Sequence, residues 1–234
     1  MRKIQHIFFD LDRTLWDFDK NSETALRLLF EKYKLSEYIF DFDTFHKKYK
    51  AVNASYWEDY SLQKITKEKL RIVRFRDTLV YFGLNSEKLA QQLSEGYVKI
   101  SPLQKNLFPN TIETLEELKS LNLPLHIITN GFKEVQYIKL KNCGLDVYFD
   151  SVLCSEEVGF NKPDPRIFYH ALNTNKASAS RALMIGDDFK TDIIGAEKAG
   201  IASVLFDPHQ QFQERIEIDK ITDLNQLPSR ILGL

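Results

Sequence analysis

Two aspartates, Asp10 and Asp12, close the apolar stretch HIFFDLDRT, and Thr14 follows at once. Like charges this close repel, and neither strand nor helix propensity asks for them. Polar groups end three further apolar stretches. Thr129, Asn130 and Gly131 follow LPLHII, Lys162 sits in EEVGFNKPDP after DSVLCS, and Gly186, Asp187 and Asp188 follow RALMI, with Asp192 one turn on. In open parallel sheets ligands bind outside the carboxyl ends of the strands, so these groups would share one crevice. Carboxylates gathered there are costly unless a cation neutralises them, and oxygen-only ligands select a hard ion such as Mg²⁺. A hydroxyl, a lysine and backbone amides beside such an ion suit a phosphate.

Phosphate chemistry gives each residue an expected role. Asp10 is the nucleophile that attacks phosphorus, and Asp12 protonates the leaving oxygen and later deprotonates water. In an extended segment, residues two apart point to the same side, so both acids can face one substrate. A turn just after Asp10 would carry the Asp12 backbone carbonyl to the metal and its side chain toward the leaving group. Thr129, Asn130, Gly131 and Lys162 are expected to hold the phosphoryl group, with Lys162 also gripping Asp10. Asp10, Asp12 and Asp187 are the expected metal ligands. Asp188 either reaches the ion through water or only caps the next helix, and Asp192 orients the others from behind.

The elements that must position these residues are legible in the hydrophobic pattern. Short apolar runs at 4–9, 123–129, 150–155, 181–187 and 202–207 have the length and continuity of buried parallel strands. Between them lie helix-like stretches at 110–121, 162–175 and 191–200. Strand and helix alternating in this order predict an α/β fold, doubly wound and Rossmann-like, around a mostly parallel sheet. Residues 17–101 differ: they are rich in aromatic residues, Lys and Glu, they run at helical spacing, and Thr66 and Ser86 look like helix starts. They predict an all-helical domain inserted into a core made of residues 1–16 and 102–234. Trp16, Phe18, Asn53, Tyr56, Trp57 and Phe132 are candidate substrate neighbours, Trp57 foremost, although aromatic side chains in a small helical domain more often form its core.

Composition narrows the class. The formal charge of −1, from 32 basic and 33 acidic residues, gives no push toward nucleic acid or an anionic membrane. The basic residues at 64–76 alternate with apolar ones at helical spacing and read as a solvated helix face. The five histidines form no pattern, and Cys143 and Cys154 match no metal or redox motif, which fits a reducing cytoplasm. No apolar run approaches the roughly 20 residues of a membrane span.

With these residues placed, the chain resembles the haloacid dehalogenase superfamily from end to end. DxDxT is Asp10-Leu11-Asp12-Arg13-Thr14, the second motif is Thr129 in IITNG, the third is Lys162 in GFNKPDP, and GDxxxxD runs from Gly186 to Asp192. The helical insert after the first motif is similar to that superfamily's α-helical cap. Dehalogenase members lack the second aspartate, so the resemblance implies a Mg²⁺-dependent phosphatase, with phosphomutases sharing the same DxD. The stretches YKAVNASYWEDY, ITNGF and SEEVGFNKPDPRIF look like the pyrimidine 5′-nucleotidase branch. That implies a small phosphorylated metabolite as partner, a pyrimidine nucleoside monophosphate, with a sugar phosphate as the alternative. A phospho-receiver domain also carries Asp, Thr and Lys on a parallel sheet. Its acceptor lies on an interior strand in sequence and lacks an aspartate two residues later, so Asp10 and Asp12 argue against it.

Overall fold

Why the short apolar runs become strands is plain once both sheet faces are covered. The computed structural model describes residues 3–212 and 217–233. Its sheet comprises β1 (His6–Phe9), β2 (Leu125–Thr129), β3 (Ser151–Cys154), β4 (Ala182–Gly186), β5 (Ala202–Phe206) and β6 (Lys220–Ile221). The order is β3-β2-β1-β4-β5-β6, and every neighbouring pair is parallel. The expected mostly parallel sheet is therefore parallel throughout. β6 has only two residues, too few to show as an apolar run. The chain winds from β1 out to β3, then crosses to β4 and winds the other way. That reversal falls between β1 and β4, which are in register with Phe9 opposite Ile185. Ligands of doubly wound sheets bind at this point.

The chain divides into two compact units, Met1–Phe18 with Lys105–Leu234, and Asp19–Gln104. The second unit is helical: α1 (Phe18–Lys32) enters it, followed by α2 (Phe42–Ser61), α3 (Lys67–Tyr81) and α4 (Glu87–Ile100). Side-chain oxygens of Asp41, Thr66 and Ser86 accept from the N–H groups of Thr44, Lys69 and Leu89 at 2.7, 3.3 and 3.2 Å, which starts α2, α3 and α4. Its aromatic richness has a structural use. Phe30, Phe42, Phe45, Tyr49, Phe75 and Tyr97 are buried with Leu26, Leu29, Leu79 and Leu93 in a core of its own.

The sheet unit carries α5 (Thr111–Ser120), α6 (Lys133–Asn142), α7 (Ser155–Val158), α8 (Pro165–Thr174), α9 (Ile194–Lys198) and α10 (Leu227–Leu232). Side chains alternate along a strand, so β1 serves both faces. Ile7 and Phe9 pack with Leu115 and Leu118 of α5, Leu140 of α6 and Leu227 of α10. Phe8 packs on the other face with Ile167 and Phe168 of α8 and Ala196 of α9. The helix read over 191–200 starts in a widened turn over Phe189–Ile193, where the N–H groups of Asp192 and Ile193 both reach the Asp188 carbonyl, at 2.9 and 3.4 Å. Such widened turns recur at functional sites, and this one buries Asp192.

Candidate active site

β1 ends with Asp10, whose N–H still donates to the Ile185 carbonyl of β4 at 2.9 Å. The chain then turns sharply. The Leu11 carbonyl collects the N–H groups of Thr14, Leu15 and Trp16, and Arg13 takes a left-handed conformation at φ 68°. This loop places the Thr14 hydroxyl 3.4 Å from Asp10 Oδ2 and 3.2 Å from Asp187 Oδ1. Lys162 arrives from the loop between α7 and α8 and donates from Nζ to Asp10 Oδ1 and to Asp192 Oδ1, at 2.6 Å each. Its side chain is only 1% exposed. At Gly186 a Cβ would stand 2.2 Å from Asp192 Oδ2, so only glycine leaves room for that carboxylate.

Oxygen atoms of Asp10, Asp187 and Asp192 lie within 4.8 Å of one another. Burial pushes the Asp10 carboxyl up to about 7, against the pull of Lys162, with Asp192 and Asp12 adding to the rise. Burial, then the charges of Asp10 and Asp192, drive Asp187 well above the usual carboxylate range. Asp192 is raised by burial while Lys162 opposes it. Burial works against the Lys162 charge, but Asp10 and Asp192 outweigh it and hold the ammonium above the usual lysine range. One buried ammonium thus faces three carboxylates, two of them buried, and Arg13 adds positive charge only toward Asp187. This charge deficit and an oxygen-only donor set fit a hard divalent cation such as Mg²⁺.

A second cluster surrounds Asp12. Its Oδ1 accepts from Lys139 Nζ at 2.5 Å and its Oδ2 from Gln136 Nε2 at 2.9 Å. Gln136 Nε2 also donates to the Thr129 hydroxyl at 2.7 Å, and the Gly131 N–H donates to that same oxygen at 3.0 Å. A Cβ on Gly131 would meet Gln136 Nε2 at 2.0 Å, which is why glycine stands there. Asn130 is committed to the backbone of Lys162: its Nδ2 donates to the Lys162 carbonyl at 3.0 Å and its Oδ1 accepts from the Lys162 N–H at 2.8 Å. It ties the end of β2 to the lysine loop. Asp188 accepts from the N–H groups of Lys190 and Thr191 at 2.9 and 2.8 Å and so caps the turn that follows.

Gln136 and Lys139 escape the sequence reading. Their signal is an amphipathic defect: the buried positions of α6 are Gln136, Lys139 and Leu140, so polar residues occupy what should be its apolar stripe. Trp16 lies fully inside the core, with its ring 4.2 Å from Lys139 Nζ and edge-on to Phe18 at 6.2 Å. Phe132 is buried at the start of α6. In the helical unit, Asn53 accepts from Arg74 Nη1 at 3.0 Å, the Tyr56 hydroxyl donates to Asp77, and Trp57 packs edge-on against Tyr60 at 5.6 Å.

The fold and site define a doubly wound α/β protein with carboxylates, a lysine and a hydroxyl gathered at the switch point of its sheet. Comparison with known proteins narrows this. A family model for haloacid dehalogenase-like hydrolases matches residues 4–200, and the chain belongs to that family. It is 35% identical over 209 residues to the pyrimidine 5′-nucleotidase YjjG of Escherichia coli, covering 88% of each chain. The pyrimidine 5′-nucleotidase PynA of Streptococcus pneumoniae is 32% identical over 225 residues, which are 93% of this chain and 92% of PynA. The ribulose-1,5-bisphosphate 5-phosphatase of Halopiger xanaduensis is 32% identical over 206 residues, 88% of this chain and 85% of the relative. Among solved structures, the magnesium-bound HAD-hydrolase YfnB of Bacillus subtilis superposes with a TM-score of 0.88 at 27% identity, covering 99% of this chain and 100% of that one.

Proposed function

We propose that this hydrolase is a Mg²⁺-dependent phosphomonoesterase that works through an aspartyl-phosphate on Asp10, with pyrimidine nucleoside 5′-monophosphates as substrates. The observation that carries the reading is the environment of Asp10. It sits at the switch point, held by Lys162 at 2.6 Å and Thr14 at 3.4 Å, with the separately held Asp12 two residues on. Asp10, Asp187 and the Asp12 backbone carbonyl would hold Mg²⁺, with Asp188 and Asp192 behind them. The bound ion would supply positive charge against the phosphoryl oxygens and the carboxylates.

The protein's own residues then divide the work. A carboxylate oxygen of Asp10 forms a bond to phosphorus while the bond from phosphorus to the ester oxygen breaks, and Asp12 gives that oxygen its proton. Water next loses a proton to Asp12 and attacks the same phosphorus. The bond to Asp10 breaks, inorganic phosphate leaves, and both carboxyl groups return to their starting states. Lys162 and the Thr129 hydroxyl hold phosphoryl oxygens, and Lys162 keeps Asp10 oriented.

Two relatives named as pyrimidine 5′-nucleotidases support the substrate class. A ribulose bisphosphate phosphatase of comparable identity favours a second reading, a sugar-phosphate phosphatase. Phosphate release from UMP, dTMP, AMP, glucose 6-phosphate and ribulose 1,5-bisphosphate separates the two. The nucleotidase reading expects the highest kcat/KM for UMP and dTMP, and a sugar phosphate leading that comparison would overturn it. We assign part of this choice to Trp57. Trp57→Ala should lower kcat/KM for UMP and spare p-nitrophenyl phosphate, and equal damage to both would remove Trp57 from the account.

A further inference from the structure

We propose that Gln136 and Lys139 of α6 are positioning residues: together they fix the Asp12 carboxylate, and Gln136 commits the Thr129 hydroxyl to act as a donor. The inference rests on the reading of Asp12 as acid–base and Thr129 as phosphoryl contact. Residues three apart on a helix share a face, so one turn of α6 presents both side chains to Asp12. Each Asp12 oxygen has its own donor, Lys139 Nζ for Oδ1 and Gln136 Nε2 for Oδ2. A carboxylate held at both oxygens cannot rotate between its acid and base duties.

The amide orientation follows from chemistry. Gln136 turns its –NH₂ side to Asp12, and in the carboxylate form that acts as base Asp12 can only accept from it. Its second hydrogen goes to the Thr129 hydroxyl oxygen, which also accepts from the Gly131 N–H. Both lone pairs of that oxygen are then occupied. Its single hydrogen has no acceptor among the described residues, so the group is left as a donor with nothing to donate to except an incoming acceptor such as a phosphoryl oxygen.

Stability does not explain this arrangement. Gln136 is fully buried with Oε1 unpartnered, and a buried lone acceptor is a cost. Lys139 is 3% exposed, and an aliphatic side chain would fill its place without desolvating a charge. Its ammonium is confined between Asp12 and the Trp16 ring, 4.2 Å away. Gly131 gives up a side chain to admit the Gln136 amide.

The test uses the full chain with Mg²⁺ and compares kcat/KM for UMP and p-nitrophenyl phosphate, with melting followed in parallel. Lys139→Met should lower the UMP value by about 10–100-fold, the range typical of groups that orient a site from behind. It should spare p-nitrophenyl phosphate, whose leaving oxygen needs no proton, and leave inhibition by inorganic phosphate unchanged. Gln136→Met should lower both substrates and weaken phosphate inhibition, because Thr129 loses its constraint as well. In an Asp12→Asn background, Lys139→Met should cost less than about twofold more, within the error of simple additivity. For Lys139→Met a merely structural role predicts equal losses for both substrates and an effect that multiplies with Asp12→Asn, and either result overturns the proposal. Gln136→Met leaves the buried charge pair intact, so it decides the matter alone if Lys139→Met does not fold: unchanged phosphate inhibition there also overturns it. Wild-type protein that releases no phosphate, or Asp12→Asn at full activity, would instead strike the underlying phosphatase reading.

Discussion

Lys162 bridges Asp10 and Asp192 at 2.6 Å from each, and all three side chains are almost wholly shielded from water. Breaking a buried ion pair from one side leaves charge stranded and costs about 3–5 kcal/mol. Lys162→Met should therefore lower the melting temperature by roughly 6–20 °C in chelator, given a few degrees per kcal/mol for a chain of this size. Added Mg²⁺ should recover part of that loss, because it neutralises the same carboxylates, while phosphate release stays abolished. Calorimetry with and without Mg²⁺ checks this, and an unchanged melting temperature in chelator would contradict it. Asp10, Asp12, Thr129 and Asp187 stood out in the sequence because polar groups end or directly follow an apolar run there, and Lys162 and Asp192 because they lie in the segments that come after such runs. Gln136 and Lys139 were not, because Gln and Lys on a helix ordinarily face water and only the packing of α6 shows these two buried. Asn130 was legible as a strand-end polar group, but its reciprocal bonds to the Lys162 backbone join segments 32 residues apart and have no local signature.

His6 and His126 stack between β1 and β2 with ring nitrogens 3.1 Å apart, and His126 also bonds the Ser151 hydroxyl of β3 at 2.9 Å. Burial first, and then the His6 charge, pushes His126 down from 6.5 to about 4. The folded sheet thus favours the neutral ring. The stabilisation is complete above pH 6.5 and is lost as pH falls from there toward 4, because the unfolded chain takes up the proton more readily. At pH 5 the loss should be about 2 kcal/mol, or roughly 4–8 °C in melting temperature. Melting curves of wild type and His126→Gln between pH 7 and 5 check this: the variant should lose less, and equal slopes would contradict it. Among the elements, β1 to β5 were legible as continuous apolar runs of strand length, and α3 and α4 through Thr66 and Ser86. The two-residue β6 carries too little burial to imprint a pattern. The widened turn over Phe189–Ile193 was hidden because its extra residue leaves the apolar spacing of a helix nearly unchanged.

The whole chain combines near-neutral charge with a helical unit that has its own aromatic core and a sheet unit that holds the acidic cluster. No helix among the described residues is long and apolar enough to cross a membrane. The doubly wound class was legible in the alternation of runs. The pairing of β1 with β4 was not, because strands so far apart in sequence are brought together by packing rather than by local pattern. On this account activity depends on an ion that the carboxylates need. EDTA should abolish phosphate release and Mg²⁺ should restore it, and Mg²⁺ at 100 times its Kd should stabilise the fold by about 2.7 kcal/mol. Full activity in chelator would contradict the metal requirement. The central claim is the covalent intermediate on Asp10, and the measurement that reaches it is acid quenching of the enzyme during turnover of UMP, followed by borohydride reduction and peptide mass spectrometry. Reduction converts an aspartyl-phosphate to homoserine. The account predicts homoserine at position 10 alone, dependent on Mg²⁺, and none in Asp10→Asn, which should also lose turnover by orders of magnitude. Homoserine at another aspartate, or Asp10→Asn retaining wild-type phosphate release, would contradict it.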